Sequence, residues 1–222
     1  MHPDRLSNVS AILFDLDGTL VRPTIDFGEL NEAVMTVIAQ HGARDALTRR
    51  MPALEALAIA AAWLREHDLP GADELMLDGT QRVLAIEMQA ADAALPFEGV
   101  ADMLLGLRDR RVQSAIVTRN NRAAAERILE RGELVYDVLL AREDVAQVKP
   151  APGHLRAALR ALGVAPGNAL MCGDHVMDME AGARAGVGAV GVLSGASGRD
   201  ELLAAGALLV LERITDLTEY LD

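Results

Sequence analysis

Carboxylate, hydroxyl and ammonium side chains follow four successive apolar runs of the sequence, each at the point where the run ends. In chain order they are Asp15-Leu16-Asp17-Gly18-Thr19 after residues 11–14, Thr118-Arg119-Asn120 after 112–117, Val148-Lys149-Pro150 after 138–140, and Gly173-Asp174 with Asp178 after 169–172. Any one of these residues is ordinary in a turn or a helix cap. Four such segments in order indicate one polar site, because open α/β sheets bind ligands at the carboxyl ends of their strands.

The predicted site combines the groups that phosphoryl transfer requires. Asp15, Asp174 and Asp178 in one cleft would repel one another by several kcal/mol at a low effective dielectric constant. A hard divalent cation removes that repulsion, and Mg²⁺ takes oxygen ligands while it keeps water for a substrate phosphate. Lys149 would bind both an acidic ligand and a phosphate oxygen, and Thr118 with the backbone amide after it would donate hydrogen bonds to the phosphate. Charge stabilisation and positioning of this kind account for most of the catalysis of phosphoryl transfer.

The spacing of Asp15 and Asp17 suggests a covalent step. Side chains two residues apart would point the same way along an extended strand, but the strand ends here, and Gly18 permits an immediate turn that brings Asp17 towards the cleft. One carboxylate can then attack phosphorus while the second, protonated, delivers a proton to the leaving oxygen.

The elements that must position these groups form a repeating pattern. Apolar runs that predict buried parallel strands occur at Ala11–Phe14, Val112–Val117, Val138–Leu140, Ala169–Cys172, Val187–Val192 and Ala207–Leu211. Helix-length segments such as Arg122–Arg131 and Gly153–Leu162 separate most of them. This alternation predicts an α/β fold with a doubly wound, Rossmann-like parallel sheet.

Residues 22–95 interrupt the alternation and show only helical patterning. Phe27, Leu30, Val34 and Ile38 recur at helical steps and predict one apolar face. A second helix is predicted at Ala53–His67, and Ala72–Ala94 is predicted to form one or two more, with Asp78-Gly79 as the candidate break. We therefore expect a helical cap domain at 22–95, packed over one end of the sheet of a core domain formed by residues 1–21 and 96–222.

Composition restricts the partners and the compartment. The 222 residues have a net charge of −12, which argues against nucleic acid and anionic membranes as partners. A single cysteine permits no intramolecular disulfide, and no apolar run approaches the length of a membrane span, so we expect a cytoplasmic protein. Lys149 is the only lysine among 21 basic residues. A coding bias against lysine explains the missing lysines but not the one that remains at the predicted site.

The four segments together resemble the haloacid dehalogenase (HAD) superfamily, and the helical insert is similar to the cap of its phosphoglycolate phosphatase and β-phosphoglucomutase subfamily. The resemblance implies that Asp15 is the nucleophile and a Mg²⁺ ligand, and that Asp17 is the general acid and then the base, with its backbone carbonyl on the metal. Thr118 and Lys149 would bind the transferring phosphoryl group. Asp174 would ligate Mg²⁺ directly, and Asp178 would hold a metal-bound water or Lys149. His175, and Arg119-Asn120 after Thr118, depart from the usual pattern; we assign Arg119 to substrate binding.

These observations favour a Mg²⁺-dependent phosphatase that acts on a small phosphorylated metabolite. A phosphomutase of the β-phosphoglucomutase type is the alternative enzyme, and a phosphate-binding protein without turnover is the non-enzymatic alternative. Dehalogenation is disfavoured because Asp17 would have no role in it, and phosphonate hydrolysis because the predicted cap contains no lysine. A phospho-accepting receiver domain has neither the Asp-x-Asp spacing nor a helical insert.

Overall fold

Two structural units share the chain, and the computed structural model describes residue 6, residues 8–47 and residues 51–221 of it. One unit comprises Met1–Pro23 and Ala93–Asp222, and the other comprises Thr24–Asp92. The first contains a parallel sheet with helices, and the second contains helices alone among its described residues.

The sheet of the first unit contains six parallel strands in the described part of the chain. They are β1 (Ala11–Phe14), β2 (Gln113–Val117), β3 (Val138–Leu140), β4 (Ala169–Gly173), β5 (Gly188–Val192) and β6 (Leu209–Leu211). Their order across the sheet is β3-β2-β1-β4-β5-β6. All four residues of β1 are buried, which is typical of a central strand covered on both faces. The predicted doubly wound parallel α/β fold is confirmed.

The second unit is built from α1 (Phe27–Gln40), α2 (Ala53–Glu66) and α3 (Ala72–Ala93), with a short 3-10 helix at Arg44–Ala46. Asp26 caps α1, because its carboxylate accepts hydrogen bonds from the backbone N–H groups of Gly28 and Glu29. Apolar side chains of the three helices form one core, in which Leu30, Val34, Ile38, Leu57, Leu64 and Leu75 are buried. Three of the four residues of the predicted apolar face of α1 therefore lie in that core.

Two details of the helical unit bear on the sequence-based expectations. Phe27 is 61% exposed, because it is the first residue of α1 and lies outside the packed part of that face. Of the two alternatives for Ala72–Ala94 the structure has the single helix, since α3 runs through the candidate break at Asp78-Gly79. A Cβ at Gly79 would overlap the Cδ atoms of Leu57. This glycine therefore permits close approach of α2 and α3 and does not end a helix.

The helices of the α/β unit are α4 (Val100–Asp109), α5 (Arg122–Arg131), α6 (Pro152–Leu162), α7 (Val176–Ala185) and α8 (Arg199–Ala204). Short 3-10 helices lie at Arg142–Asp144, Pro166–Asn168 and Ile214–Glu219. One core cluster joins Ala11 and Leu13 of β1 to Leu155 of α6 and Ala181 of α7. Ile12 and Phe14 point to the other face of the sheet and are also fully buried, so both faces are covered. Within the described ranges, every helix is too short or too polar to traverse a bilayer.

Three strands begin one or two residues later than the apolar runs predict. Val112, Val187 and Ala207 lie outside β2, β5 and β6. Each donates its N–H to a carbonyl in the last turn of the preceding helix: Val112 to Leu107, Val187 to Gly182, and Ala207 to Leu202. The residue before each has a positive φ, as expected for a helix that ends in a left-handed residue. These three apolar residues therefore close helices and do not begin strands.

Candidate active site

The sheet order brings the predicted site segments to one edge. β1 lies between β2 and β4, and its last residue, Phe14, is level with Ile116 and Cys172. The hydrogen bond from the N–H of Asp15 to the carbonyl of Cys172 extends the ladder one residue beyond β1. Residues that follow these strands are therefore neighbours in space.

Three carboxylates and one ammonium group form the centre of the site. Oxygen atoms of Asp15, Asp174 and Asp178 lie within 4.8 Å of one another. Nζ of Lys149 lies 2.9 Å from Oδ1 of Asp15 and 2.7 Å from Oδ1 of Asp178. Lys149 is only 2% exposed, and Asp174 and Asp178 are also buried. The four residues, which follow three different strands in the sequence, are thus brought together, as predicted.

Burial and charge shift the pKa values in this cluster. Burial raises the pKa of Asp178 to about 7, and the positive charge of Lys149 only partly opposes the shift. Burial also raises the pKa of Asp174, with a further contribution from the charge of Asp15. Burial disfavours the charged form of Lys149, but the negative charges of Asp15 and Asp178 outweigh it and raise the pKa of Lys149. Negative charge therefore exceeds positive charge in this cluster.

The donor set fits a hard divalent cation. With all groups ionised, three carboxylates against one ammonium leave two uncompensated negative charges in a largely buried site. A divalent ion balances that charge, and carboxylate oxygens are the ligands that such ions prefer. Asp178 has a second role, because its Oδ2 accepts a hydrogen bond from the N–H of His175 in the capping box of α7.

Asp174 is held by contacts that the sequence did not predict. Its Oδ1 accepts a hydrogen bond from the hydroxyl of Thr19 at 3.2 Å, and its Oδ2 accepts one from the N–H of Ala196 at 2.7 Å. A Cβ at Gly195 would overlap Asp174 Oδ2, so the loop after β5 approaches this carboxylate as only glycine allows. The signal was present in the sequence, since Leu193-Ser194-Gly195-Ala196 follows the fifth apolar run as the other motifs follow theirs.

Asp17 lies in the tight turn after β1. Gly18 has a φ of +81°, which a residue with a side chain rarely adopts, and its carbonyl accepts a hydrogen bond from Ser194. Oδ2 of Asp17 accepts a hydrogen bond from the side-chain amide of Asn120 at 3.2 Å. The turn that the sequence predicted at Gly18 is therefore present, and Asp17 contacts the loop after β2.

Thr118 and Arg119 follow β2 as predicted. Oγ1 of Thr118 accepts a hydrogen bond from the N–H of Asn120 at 3.0 Å, which leaves the hydroxyl proton of Thr118 to be donated elsewhere. Thr118 does not cap α5, because the N-cap residue of that helix is Asn121. Nη1 of Arg119 lies 3.0 Å from Sδ of Met177, which places Arg119 beside the first turn of α7.

A fully buried histidine lies near Lys149. Nε2 of His154 is 3.2 Å from the carbonyl oxygen of Leu140, so the ring carries its proton on Nε2 and donates there. Burial, together with the positive charge of Lys149, lowers the pKa of His154 from 6.5 to about 4. His154 is therefore neutral in the folded protein near neutral pH.

Comparison with known proteins agrees with the fold. Residues 9–186 match the family model described as haloacid dehalogenase-like hydrolase. The chain is 30% identical over 221 residues to the phosphoglycolate phosphatase of Rhodospirillum rubrum, covering 95% of this chain and 90% of that protein. It is 27% identical over 224 residues to the N-acetylmuramic acid 6-phosphate phosphatase of Pseudomonas aeruginosa, covering 96% and 95% of the two chains.

Among solved structures, the chain is similar to a hydrolase from Pseudomonas syringae. The TM-score is 0.71 at 23% identity, and the match covers 95% of this chain and 96% of that chain. At this identity the similarity shows the fold, and the assignment to a family depends on the sequence matches.

Proposed function

This chain belongs to the haloacid dehalogenase-like hydrolase family, and from that premise we propose that it is a Mg²⁺-dependent phosphatase that hydrolyses a small phosphomonoester through a phosphoaspartate on Asp15. The observation that supports this most strongly is the cluster in which Lys149 contacts both Asp15 and Asp178 beside Asp174. The cluster contains a nucleophile, the donor set for a hard cation, and one ammonium group for the phosphate.

Asp15 is the nucleophile in this proposal. Its carboxylate oxygen attacks phosphorus, and the bond between phosphorus and the ester oxygen breaks on the opposite side. Lys149 holds Oδ1 of Asp15 at 2.9 Å and fixes the direction of the carboxylate. The ammonium group also neutralises charge on the phosphoryl oxygens, which is the main catalytic requirement of this reaction.

Asp17 transfers protons in both halves of the reaction. In the first half its protonated carboxyl gives a proton to the leaving oxygen, which departs as an alcohol. In the second half its carboxylate takes a proton from the water that attacks the phosphoaspartate, which releases phosphate and restores both residues to their starting states. The turn at Gly18 supports this role, because it separates Asp17 from the line of β1 while keeping it near Asp15.

The remaining residues bind the metal and the substrate. Carboxylates of Asp15, Asp174 and Asp178 and the backbone carbonyl of Asp17 would hold Mg²⁺. When bound, Mg²⁺ supplies positive charge to the phosphoryl oxygens and to the nucleophile. The hydroxyl of Thr118 donates a hydrogen bond to a phosphoryl oxygen, and Arg119 contributes positive charge to the substrate beside the first turn of α7.

The substrate class and the domain roles follow the same reasoning. The names of the two relatives given above, both phosphatases of small phosphorylated acids, support a small metabolite as substrate. We further propose a core domain of residues 1–21 and 96–222 with a helical cap domain at 22–95. The division of the chain at Pro23 and Ala93 supports those boundaries.

Hydrolysis of 4-nitrophenyl phosphate by the purified protein tests the proposal. We expect turnover with Mg²⁺, loss of turnover with EDTA, and loss with Asp15→Asn in a protein that unfolds like the wild type. Wild-type rates from Asp15→Asn would refute the nucleophile assignment. Incubation with a hexose 1-phosphate distinguishes the phosphomutase, since a phosphatase releases inorganic phosphate and forms no 6-phosphate.

A further inference from the structure

Asn120 is a buried polar residue to which neither the family pattern nor the reaction described above gives a role. It is 5% exposed and follows β2 by three residues. Its backbone N–H donates to Oγ1 of Thr118 at 3.0 Å, and its backbone carbonyl accepts from the N–H of Arg142 at 3.1 Å. Hydrogen bonds on both sides of its Cα therefore hold the backbone of Asn120 in place.

The side chain of Asn120 is oriented unambiguously by its partners. Its Oδ1 accepts a hydrogen bond from the N–H of Asn121 at 2.9 Å, and a backbone N–H can only donate. The other end of the amide must therefore be Nδ2, and this group lies 3.2 Å from Oδ2 of Asp17. Asn120 thus presents an N–H donor, held by the loop after β2, to one oxygen of the Asp17 carboxyl.

From this geometry we propose that Asn120 is a positioning residue for proton transfer by Asp17, an inference that rests on the proposed phosphatase function. A protonated carboxyl has one carbonyl oxygen and one hydroxyl oxygen, and an N–H donor pairs with the carbonyl oxygen. The bond from Asn120 therefore assigns Oδ2 as the carbonyl oxygen and Oδ1 as the oxygen that carries the proton. It also fixes the plane of the carboxyl group, on which efficient proton delivery depends.

The consequence depends on the leaving group. An ester oxygen that departs as a stable anion needs little protonation, whereas a poor leaving group needs the acid. Phenyl phosphate and 4-nitrophenyl phosphate have similar shapes, but phenol is the poorer leaving group, with a pKa of about 10 like the phenol of tyrosine. A fault in acid positioning lowers the rate for phenyl phosphate selectively. A fault in folding or in phosphate binding lowers both rates together.

The test compares kcat/KM for the two esters, because this quantity reports the steps up to phosphoryl transfer to Asp15. We expect Asn120→Ala to lower kcat/KM for phenyl phosphate by about 10-fold or more and to affect 4-nitrophenyl phosphate much less. Asn120→Ser, too short to reach Asp17 but able to bond the local backbone, should show the same selectivity. Asp17→Asn should show it more strongly, since it removes the acid itself.

Asn121→Ala is the matched control. Asn121 is the next residue in the same loop, and its Oδ1 caps α5 by accepting from the N–H of Ala124 at 2.8 Å. The control should lower the unfolding temperature and leave the ratio of the two kcat/KM values unchanged, because it removes only the 3.5 Å contact of the Asn121 amide with Oδ1 of Asn120 and keeps the backbone N–H that orients Asn120 at 2.9 Å.

The outcomes separate the inference from the proposed function. Selective loss in both Asn120 variants, with an unchanged ratio in Asn121→Ala, supports it. Equal loss for the two esters, no loss, or the same selectivity in Asn121→Ala overturns the positioning role and leaves the phosphatase proposal intact. Failure of the wild type to hydrolyse either ester overturns the phosphatase proposal and this inference with it.

Discussion

Acidification is expected to destabilise the folded protein through His154. The imidazole is fully buried, donates from Nε2 to the carbonyl of Leu140, and has its pKa lowered from 6.5 to about 4. The informative perturbation is His154→Gln, because glutamine keeps an N–H donor and removes the group that titrates. Both proteins retain every other ionisable residue, so the difference between them isolates His154.

The sign and the size follow from the two pKa values. The unfolded chain binds a proton at His154 as the pH falls through 6.5, while the folded protein does not bind it until about pH 4. Stability from the neutral ring is therefore complete above pH 6.5 and is lost as the pH falls towards 4. At 1.36 kcal/mol per pKa unit, the loss is about 1.4 kcal/mol at pH 5.5 and about 3 kcal/mol at pH 4.

Urea unfolding of wild type and His154→Gln at about pH 7.5 and about pH 5.5 provides the measurement. The lower pH stays above the isoelectric point of 4.8, so the protein keeps a net negative charge that opposes aggregation. The difference in unfolding free energy, wild type minus variant, should fall by about 1.4 kcal/mol between the two conditions. Parallel pH dependences in the two proteins would show that His154 is not held neutral by its surroundings.

Two glycine substitutions test close approaches that the structure requires. Gly195→Ala should displace the Asp174 carboxylate and weaken Mn²⁺ binding by about 10-fold or more, as measured by electron paramagnetic resonance. Gly106→Ala is the control and should leave Mn²⁺ binding unchanged, because the space at its Cβ position is open. Gly79→Ala should lower the unfolding free energy by about 1–3 kcal/mol because its methyl group overlaps Leu57, and the same substitution in a Leu57→Ala background should cost nothing further. Unchanged Mn²⁺ binding in the first case, or an equal cost in both backgrounds in the second, would contradict the contacts described.

The strands and the four motif segments were accessible from the sequence because each depends on local signals. Buried parallel strands appear as short apolar runs, and a polar residue directly after such a run must lie at the carboxyl edge. The starts of three strands were misplaced for a physical reason. Val112, Val187 and Ala207 are apolar because they complete the last turn of a helix, and hydrophobicity alone does not distinguish that role from the first residue of a strand.

The contacts that the sequence did not predict are those that depend on a partner far along the chain. Thr19 and Ala196 hold opposite oxygens of Asp174, and Asn120 contacts Asp17 from 103 residues away. Asparagine, threonine and alanine are too common in loops to indicate such pairings. The one local indication was the segment 193–196 after the fifth apolar run. Its glycine, Gly195, is the residue that allows the close approach to Asp174.

Chemical trapping of the covalent intermediate is the direct test of whether Asp15 is the nucleophile. Asp17→Asn should slow the attack of water on the phosphoaspartate, so brief incubation of this variant with Mg²⁺ and 4-nitrophenyl phosphate should accumulate the phosphoenzyme. Borohydride reduces an acyl phosphate to an alcohol, which converts a phosphorylated aspartate into homoserine that peptide mass spectrometry can locate. We expect homoserine at position 15. Homoserine at position 174 or 178, or release of 4-nitrophenol without any modified residue, would contradict it.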